Sequence, residues 1–333
     1  MVYTVAVTKL ATPSERHLNS SSIRIPAYYI SVAARNLGER KERWKKEQSG
    51  ERAYPPIEPW TTPSLDNPET GLIAHVAEDG SIDAYVQCEL ANGMLATPEG
   101  ILSAQHNAIR RYSYDLSHEE VFASHPVFND LHTLRASPSG ITVASSGVDA
   151  VVELSPDGNN ITRTWHATEH GYTTDSFGKP RSIDPTADHR DIFYNTWLRT
   201  THVNSALALP DNSYLVTFFH QGIFGRLTPD GRVTPLVEGL KRPHASRVSG
   251  DRYTFVDTGR GIAYRGTLTQ DGFTTEHSIS IPSTWLQDGQ YDGTLWFLVD
   301  AEHARVYFGS LQGEILGYDQ FDPDWDFFEV LLV

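Results

Sequence analysis

ITVASSGVDAVVELSPDG, residues 141–158, sets two β-rich runs either side of a small, polar break and closes on an Asp-Gly turn. The same plan returns in ILSAQHNAIRRYSYD from Ile101, YLVTFFHQGIFGRLTPDG from Tyr214, RYTFVDTGRGIAYRGTLTQDG from Arg252 and RVYFGSLQGEILGYD from Arg305. A partial copy, TGLIAHVAEDGSIDAYVQCEL, starts at Thr70. Asp-Gly at 79–80, 157–158, 230–231 and 271–272 falls where consecutive strands would reverse, and this dipeptide is a strong hairpin signal. One small antiparallel sheet cannot bury both of its faces; packing several radially, at about 40–50 residues per blade, is the propeller solution. The starts lie 40, 73, 38 and 53 residues apart, and the long interval is one blade plus an insertion over 165–197. Five copies and the partial one predict a single all-β domain over 1–333, a six-bladed β-propeller, with five or seven blades as alternatives. The last blade would close by joining the C-terminal FFEVLLV to strands near the N-terminus such as VYTVAV, leaving no open edge.

The 333 residues carry 27 Lys+Arg against 42 Asp+Glu, a net charge of −15, which disfavours nucleic acid and anionic membranes as partners. A single cysteine, Cys88, excludes an intrachain disulfide framework and a zinc site built on paired cysteines. No apolar stretch approaches the roughly 20 residues of a membrane helix. The first residues, MVYTVAVTKLATPSERHLNSSS, lack the basic-then-apolar order of a secretory signal, so the expectation is a cytoplasmic protein. Phosphate-loop, dinucleotide and Gly-x-Ser-x-Gly patterns are missing, so neither a nucleotide nor a flavin is expected. The one helical pattern is AARNLGERKERWKKEQ, 33–48, where six basic residues interleave with Glu39, Glu42 and Glu47. It reads as a solvated helix held by Glu–Lys pairs, or as a docking face for an anion. Prolines at 55, 56, 59, 63 and 68 make the following stretch an extended strap.

Aligning the repeats puts a histidine before the second strand of three of them: His132 in FNDLHTL, His202 in TTHVNSAL and His244 in KRPHASR. The innermost strand of each blade begins at the wide mouth of the channel, so three imidazoles from successive blades could converge there. Three neutral imidazoles suit a divalent metal such as Fe, Zn or Mn, with positions left open for water or substrate. The same residues could work as acid and base without a metal, because imidazole titrates near pH 6.5. Asp130 and Asp292 are candidate bases or further ligands. Asn129, Asn204, Arg247 and Arg260 are candidate substrate contacts, Arg247 being the expected anion clamp through its planar donor fork. The insertion carries His189, Tyr194 and Trp197, which would reach the substrate if the insertion is a lid over the mouth.

The order LHTL, THVNSALAL, GLKRPHASR and VDTGRG resembles a group of propeller proteins with His-Thr, His-Leu-Asn-Gly and Pro-His-Ser-Pro-Arg motifs, then Asp-Ser-Gly-Thr-Gly. The likeness covers about 130–265; Ser205 stands for the Gly, and Ala245 and Ser246 for Ser-Pro. The resemblance implies a six-bladed type of propeller and highlights His132, His202, Asn204, His244 and Arg247, without a reaction. A looser likeness is to calcium-dependent lactonases and to strictosidine-synthase-like propellers; calcium prefers a shell of oxygens, and three histidines make a poor calcium site. The leading expectation is an enzyme acting on a small, anionic organic molecule with a metal on His132, His202 and His244. Lyase, hydrolase, isomerase and oxygenase chemistry all fit. A metal-free histidine lyase or cyclase and a non-catalytic binding or scaffold propeller stay open.

Overall fold

The Asp-Gly turns at 79–80, 157–158 and 230–231 each join the third and fourth strands of a blade. At 157–158, for example, the turn links Ala150–Leu154 to Ile161–His166, with Gly158 at φ +73°, a conformation that needs glycine. The computed structural model describes residues 3–4, 15–49, 70–192, 194–269 and 272–333 and forms six antiparallel sheets. Their innermost strands are Met94–Thr97, Leu131–Ser137, Val203–Ala208, Pro243–Ser249, Leu286–Tyr291 and Asp326–Leu331, numbered here blades 1 to 6. The chain is a six-bladed β-propeller. Aromatic contacts seal neighbouring blades: Phe224 of blade 3 stacks on Phe255 of blade 4 at 4.2 Å, and Phe297 of blade 5 meets Tyr28 of blade 6 edge-on at 5.7 Å. No helix among the described residues is long and apolar enough to cross a membrane.

Closure uses a different partner from the expected VYTVAV. The C-terminal strand Asp326–Leu331 pairs with Tyr28–Ala34, which continues into Gly71–Val76 and Ile82–Cys88. The second strand of a blade is covered on both faces, and YYISVAA is buried at all seven positions. Of VYTVAV, Tyr3–Thr4 pairs at the outer edge of blade 1 with His118–Ala123. Glu15–Leu18 adds an outer strand to blade 5.

Two of the sequence repeats are one strand out of phase. Arg305–Gly309 is the third strand of blade 5, whose second is Trp296–Asp300; Gly71–Val76 is likewise the third strand of blade 6. WFLVD and RVYFG are both uninterrupted β-rich runs, and nothing local marks which lies nearer the axis. The slip matters because it moves Asp292 from the mouth to the turn that follows the innermost strand of blade 5, at the opposite end. There Asp292 Oδ1 accepts from the backbone N–H groups of Thr294 and Leu295.

The basic stretch forms a helix over Leu37–Gln48, α1, with Asn36 as N-cap, Glu39 in the first turn and Lys45 and Lys46 in the last, charges placed to suit the helix dipole. Residues 33–34 belong to the preceding strand. The helix is not a solvated excursion: Leu37 N–H donates to Asp324 O (2.9 Å), Arg40 pairs with Asp326 (2.9 Å) and Lys41 Nζ donates to Glu302 O (3.1 Å). The proline-rich strap, 54–68, lies outside the described residues.

Four charged side chains fill the channel axis. Glu329 of blade 6 forms an ion pair with Arg135 of blade 2 (2.7 Å) and accepts from Arg247 of blade 4 (2.6 Å). Arg247 also forks onto Asp288 of blade 5 at 3.0 and 2.7 Å. Arg247, expected at the mouth as a substrate clamp, is therefore committed inside the fold and 8% exposed. Its ion partners hold its pKa above the ordinary value against the effect of burial. Removing one member of a buried, charge-balanced set leaves an uncompensated charge. Arg247→Met is therefore expected to lower unfolding stability by about 3–5 kcal/mol in urea titrations. A loss below about 1 kcal/mol would mean that the quartet does not hold the blades together.

Candidate functional site

The strand registers assign two tiers of side chains at the channel mouth. Leu131, Val203, Pro243 and Leu286 occupy equivalent positions, opposite Ser145, Phe218, Asp257 and Asp300. The residues just before them, Asp130, His202, Arg242 and Trp285, form an upper tier. Those just after, His132, Asn204, His244 and Gln287, form a lower one. His202 thus stands two residues earlier than His132 and His244, although the sequence repeats suggested matched places. The offset brings His202 sideways onto His132 instead of stacking it in a ring of three.

Local backbone conformation aims the upper tier. Asp130, His202 and Arg242 adopt φ of +46°, +46° and +61°, strained for non-glycine residues and held by surrounding contacts. For His202 the clamp is Asp149, a buried carboxylate that the sequence reading did not single out. Asp149 accepts from the N–H groups of Thr200 (2.8 Å), Thr201 (3.0 Å) and His202 (2.6 Å), and pairs with Arg181 (2.7 Å). No motif marks Asp149; its role exists only because the 167–202 connection returns to it.

Residues of blades 2 to 6, of α1 and of the end of the insertion enclose one cavity of about 340 Å³, at the small end of ligand-site volumes. Asp130, His132, His202, His244 and Trp197 line it, joined by residues the sequence reading left aside: Arg242, Phe219, Trp285, Phe328 and one face of α1. Leu37, Arg40, Lys41, Trp44, Lys45 and Gln48 follow the three-to-four spacing of a helix face, and that periodicity was the legible signal. Trp44 stacks on Trp285 (5.6 Å, 14°), docking the helix as one wall.

His202 Nε2 lies 3.1 Å from His132 Nε2. His132 Nδ1 is 3.0 Å from the carbonyl of Asp130, and His244 Nδ1 is 2.8 Å from that of Arg242. A carbonyl only accepts, so both rings carry their proton on Nδ1 and leave Nε2 bare when neutral. His202 then donates its Nε2 proton to His132, with its own Nδ1 buried and unpartnered. Burial lowers the pKa of all three; Arg199 and neighbouring imidazoles push His202 down further, and His244 falls to about 3. Burial would raise Asp130, but Arg199 at 2.6 Å, with His132 and His106, holds its carboxyl well below the usual range. A carboxylate so firmly ionised is a weak proton acceptor near neutrality.

The other expected contacts lie outside the cavity. His189 spends both ring nitrogens within the insertion, on Tyr194 Oη (2.9 Å) and Asp184 O (2.8 Å). Asn129 donates to the carbonyls of His189 and Ile192 (both 2.6 Å), anchoring the insertion. Of that insertion, Thr196 and Trp197 reach the cavity. Asn204 donates to Pro243 O (3.1 Å) beside a small void below the site. Arg260 is half-exposed and pairs with Asp257.

The metal-ligating atoms of the three histidines do not all lie within 4.8 Å of one another; among the described residues that condition is met by Asp300, Glu302 and His303. Asp300 there accepts from Ser283, Glu302 N–H and His303 N–H, bonds that pin the loop after Trp296–Asp300.

No protein-family profile and no curated protein sequence matches the chain. Solved structures match its fold. A chain of a nidogen/laminin complex aligns with TM-score 0.58 at 10% identity, over 91% of this chain and 97% of that one. A protein of unknown function from Bacteroides caccae aligns with TM-score 0.58 at 10% identity, over 92% and 98%. A putative 6-phosphogluconolactonase from Bacteroides uniformis gives 0.51 at 10% identity, over 89% and 84%. At such identities the likeness is one of fold.

The histidines make a pH test. His132, His202 and His244 are neutral when folded but take up protons when unfolded below about pH 6.5. Their contribution is complete above that pH and is lost as pH falls toward their folded values. For His244 the slope is on the order of 1.4 kcal/mol per pH unit. Urea unfolding between pH 7.5 and 5 should show the wild type losing stability, and His244→Asn should flatten the slope by about one proton. An unchanged slope would contradict a buried neutral His244.

Proposed function

We propose that the mouth cavity is the active site of an enzyme that performs proton-transfer chemistry on a small anionic molecule, with His132 as the base. The observation that carries this reading is the unprotonated His132 Nε2, which accepts from His202, its own proton fixed on Nδ1 by the Asp130 carbonyl and its ring kept neutral by burial. His202, 3.1 Å away, supplies a proton donor, so acid and base stand side by side. Elimination, isomerisation and hydrolysis all need such a pair, which agrees with a lyase, isomerase or hydrolase. The putative lactonase among the fold neighbours is compatible with a hydrolase and adds nothing more specific.

A divalent metal, Fe, Zn or Mn, is the second reading, favoured by one observation. Two nitrogens about 3.3 Å apart are what a tetrahedral ion with bonds near 2.0–2.1 Å requires, and His132 Nε2 and His202 Nε2 are 3.1 Å apart. His132 and His244 also have the carbonyl-held Nδ1 proton usual behind metal-bound histidines. Against it, the ligand atoms of His244 and Asp130 do not complete a close set with that pair. If an ion were bound, it would supply a Lewis acid; His132 and His202 would hold it.

Incubating the protein with small carboxylic acids, esters and lactones, with products read by mass spectrometry, tests both readings. His132→Gln should cut turnover of any converted compound by about 10²–10⁴-fold. The acid limb of kcat/KM should lie below pH 6.5, because the base stays unprotonated to lower pH than a free imidazole. Activity that survives exhaustive chelation supports the metal-free pair. Stoichiometric metal that disappears in His202→Ala, together with activity, overturns it in favour of the metal.

A further inference from the structure

Arg242 differs from the other arginines at the mouth and in the channel. Arg40 pairs with Asp326, Arg199 with Asp130, and Arg135 and Arg247 with Glu329. No carboxylate or hydrogen-bond acceptor among the described residues meets the Arg242 guanidinium. It lies over aromatic faces instead, 5.1 Å from the Trp285 ring centroid, 5.7 Å from Trp197 and 5.9 Å from Phe219. Such faces attract a cation without neutralising it, so its donor fork stays available. The position is held at φ +61°, and the side chain lines the cavity beside His202, which stacks on Phe219 at 4.8 Å.

The remaining cations on the lining have partners of their own. Arg40 has Asp326, Lys45 has Glu42 at 2.6 Å, and Lys41 Nζ donates to the main-chain carbonyl of Glu302 (3.1 Å), whose carboxylate it also influences electrostatically. One uncompensated cation calls for one negative charge, and a planar fork fits a carboxylate bidentately. The surrounding walls are flat and aromatic, which favours a flat, conjugated body over a flexible chain.

We infer that the cavity selects a carboxylate borne on an aromatic or conjugated planar skeleton. The carboxylate is bound by Arg242, the ring lies among Trp285, Trp197 and Phe219, and the far edge faces His202 and His132. The inference names the substrate class of the active site proposed above and rests on that proposal.

Tryptophan-fluorescence titration and calorimetry with benzoate, cinnamate, benzamide, hexanoate and phenyl phosphate test it on wild type, Arg242→Gln, Trp285→Leu and His132→Gln, each first checked for a native melting transition. Benzoate or cinnamate should bind at least about tenfold more tightly than benzamide or hexanoate. Arg242→Gln should remove the preference for acid over amide. Trp285→Leu should remove the preference for aromatic over aliphatic acid and keep the other. His132→Gln should leave binding within about threefold, because that residue acts on the bound ligand. Benzamide binding as well as benzoate, phenyl phosphate binding more tightly than benzoate, or wild-type affinity in Arg242→Gln would each overturn the inference. Arg242-dependent binding with no aromatic acid converted would instead overturn the active-site proposal alone. Turnover of a neutral compound that needs His132 but not Arg242 would do the reverse.

Discussion

Glu329 stands where the ring closes, and the rest of the propeller is organised around what it binds. It rides on the last strand, beside the N-terminal strand Tyr28–Ala34, and reaches Arg135 and Arg247 from two other blades. Arg247 extends the contact to Asp288, whose second oxygen accepts the Val330 N–H at 3.0 Å. Two cations and two anions thus balance on the axis, a set whose internal attraction must offset a large desolvation cost. Because its members come from blades 2, 4, 5 and 6, the quartet can form only when the blades are in place. It lies below the histidines, where Asp288 and Glu329 line the small void under the cavity.

Above the quartet the chemistry depends on a two-residue shift. Blades 2 and 4 place a histidine just inside the first paired position of the innermost strand; blade 3 places Asn204 there and His202 two residues earlier. Had His202 kept the repeat position, three imidazoles would stand at equal heights around the axis. The shift, paid in left-handed backbone and stabilised by Asp149, instead makes a hydrogen-bonded pair, with His244 apart. Symmetry gives the frame, and a local break in symmetry gives two adjacent groups with opposite roles.

The blade count and the clustering of His132, His202 and His244 at one mouth were legible because hairpin turns and repeats are local signals. What was not legible is long-range. Arg247 and Arg242 lie five residues apart and look equally suited to hold an anion. Only the partners Asp288 and Glu329, 41 and 82 residues further on, distinguish the structural arginine from the unpaired one. The displacement of Asp292 followed from an ambiguity between WFLVD and RVYFG that charge and turn patterns do not resolve. Helix α1 announced its charge but not its destination, since the wall it builds against Trp285 is supplied by a residue some 240 positions away.

An acidic protein can still keep a cationic site, and the manner in which it does so limits what binds. With a net charge of −15, a guanidinium at the mouth would ordinarily find a carboxylate of its own, as Arg40, Arg135, Arg199 and Arg247 do. Around Arg242 aromatic faces stand in place of such a carboxylate, attracting the cation without neutralising it and leaving its donor fork available. The excess negative charge acts at long range and is screened by salt within about 10 Å. Contact with one arginine in a low-dielectric aromatic pocket is screened far less. Recognition is therefore decided by the rings and the single fork at close quarters, and the field of the whole molecule acts on the approach.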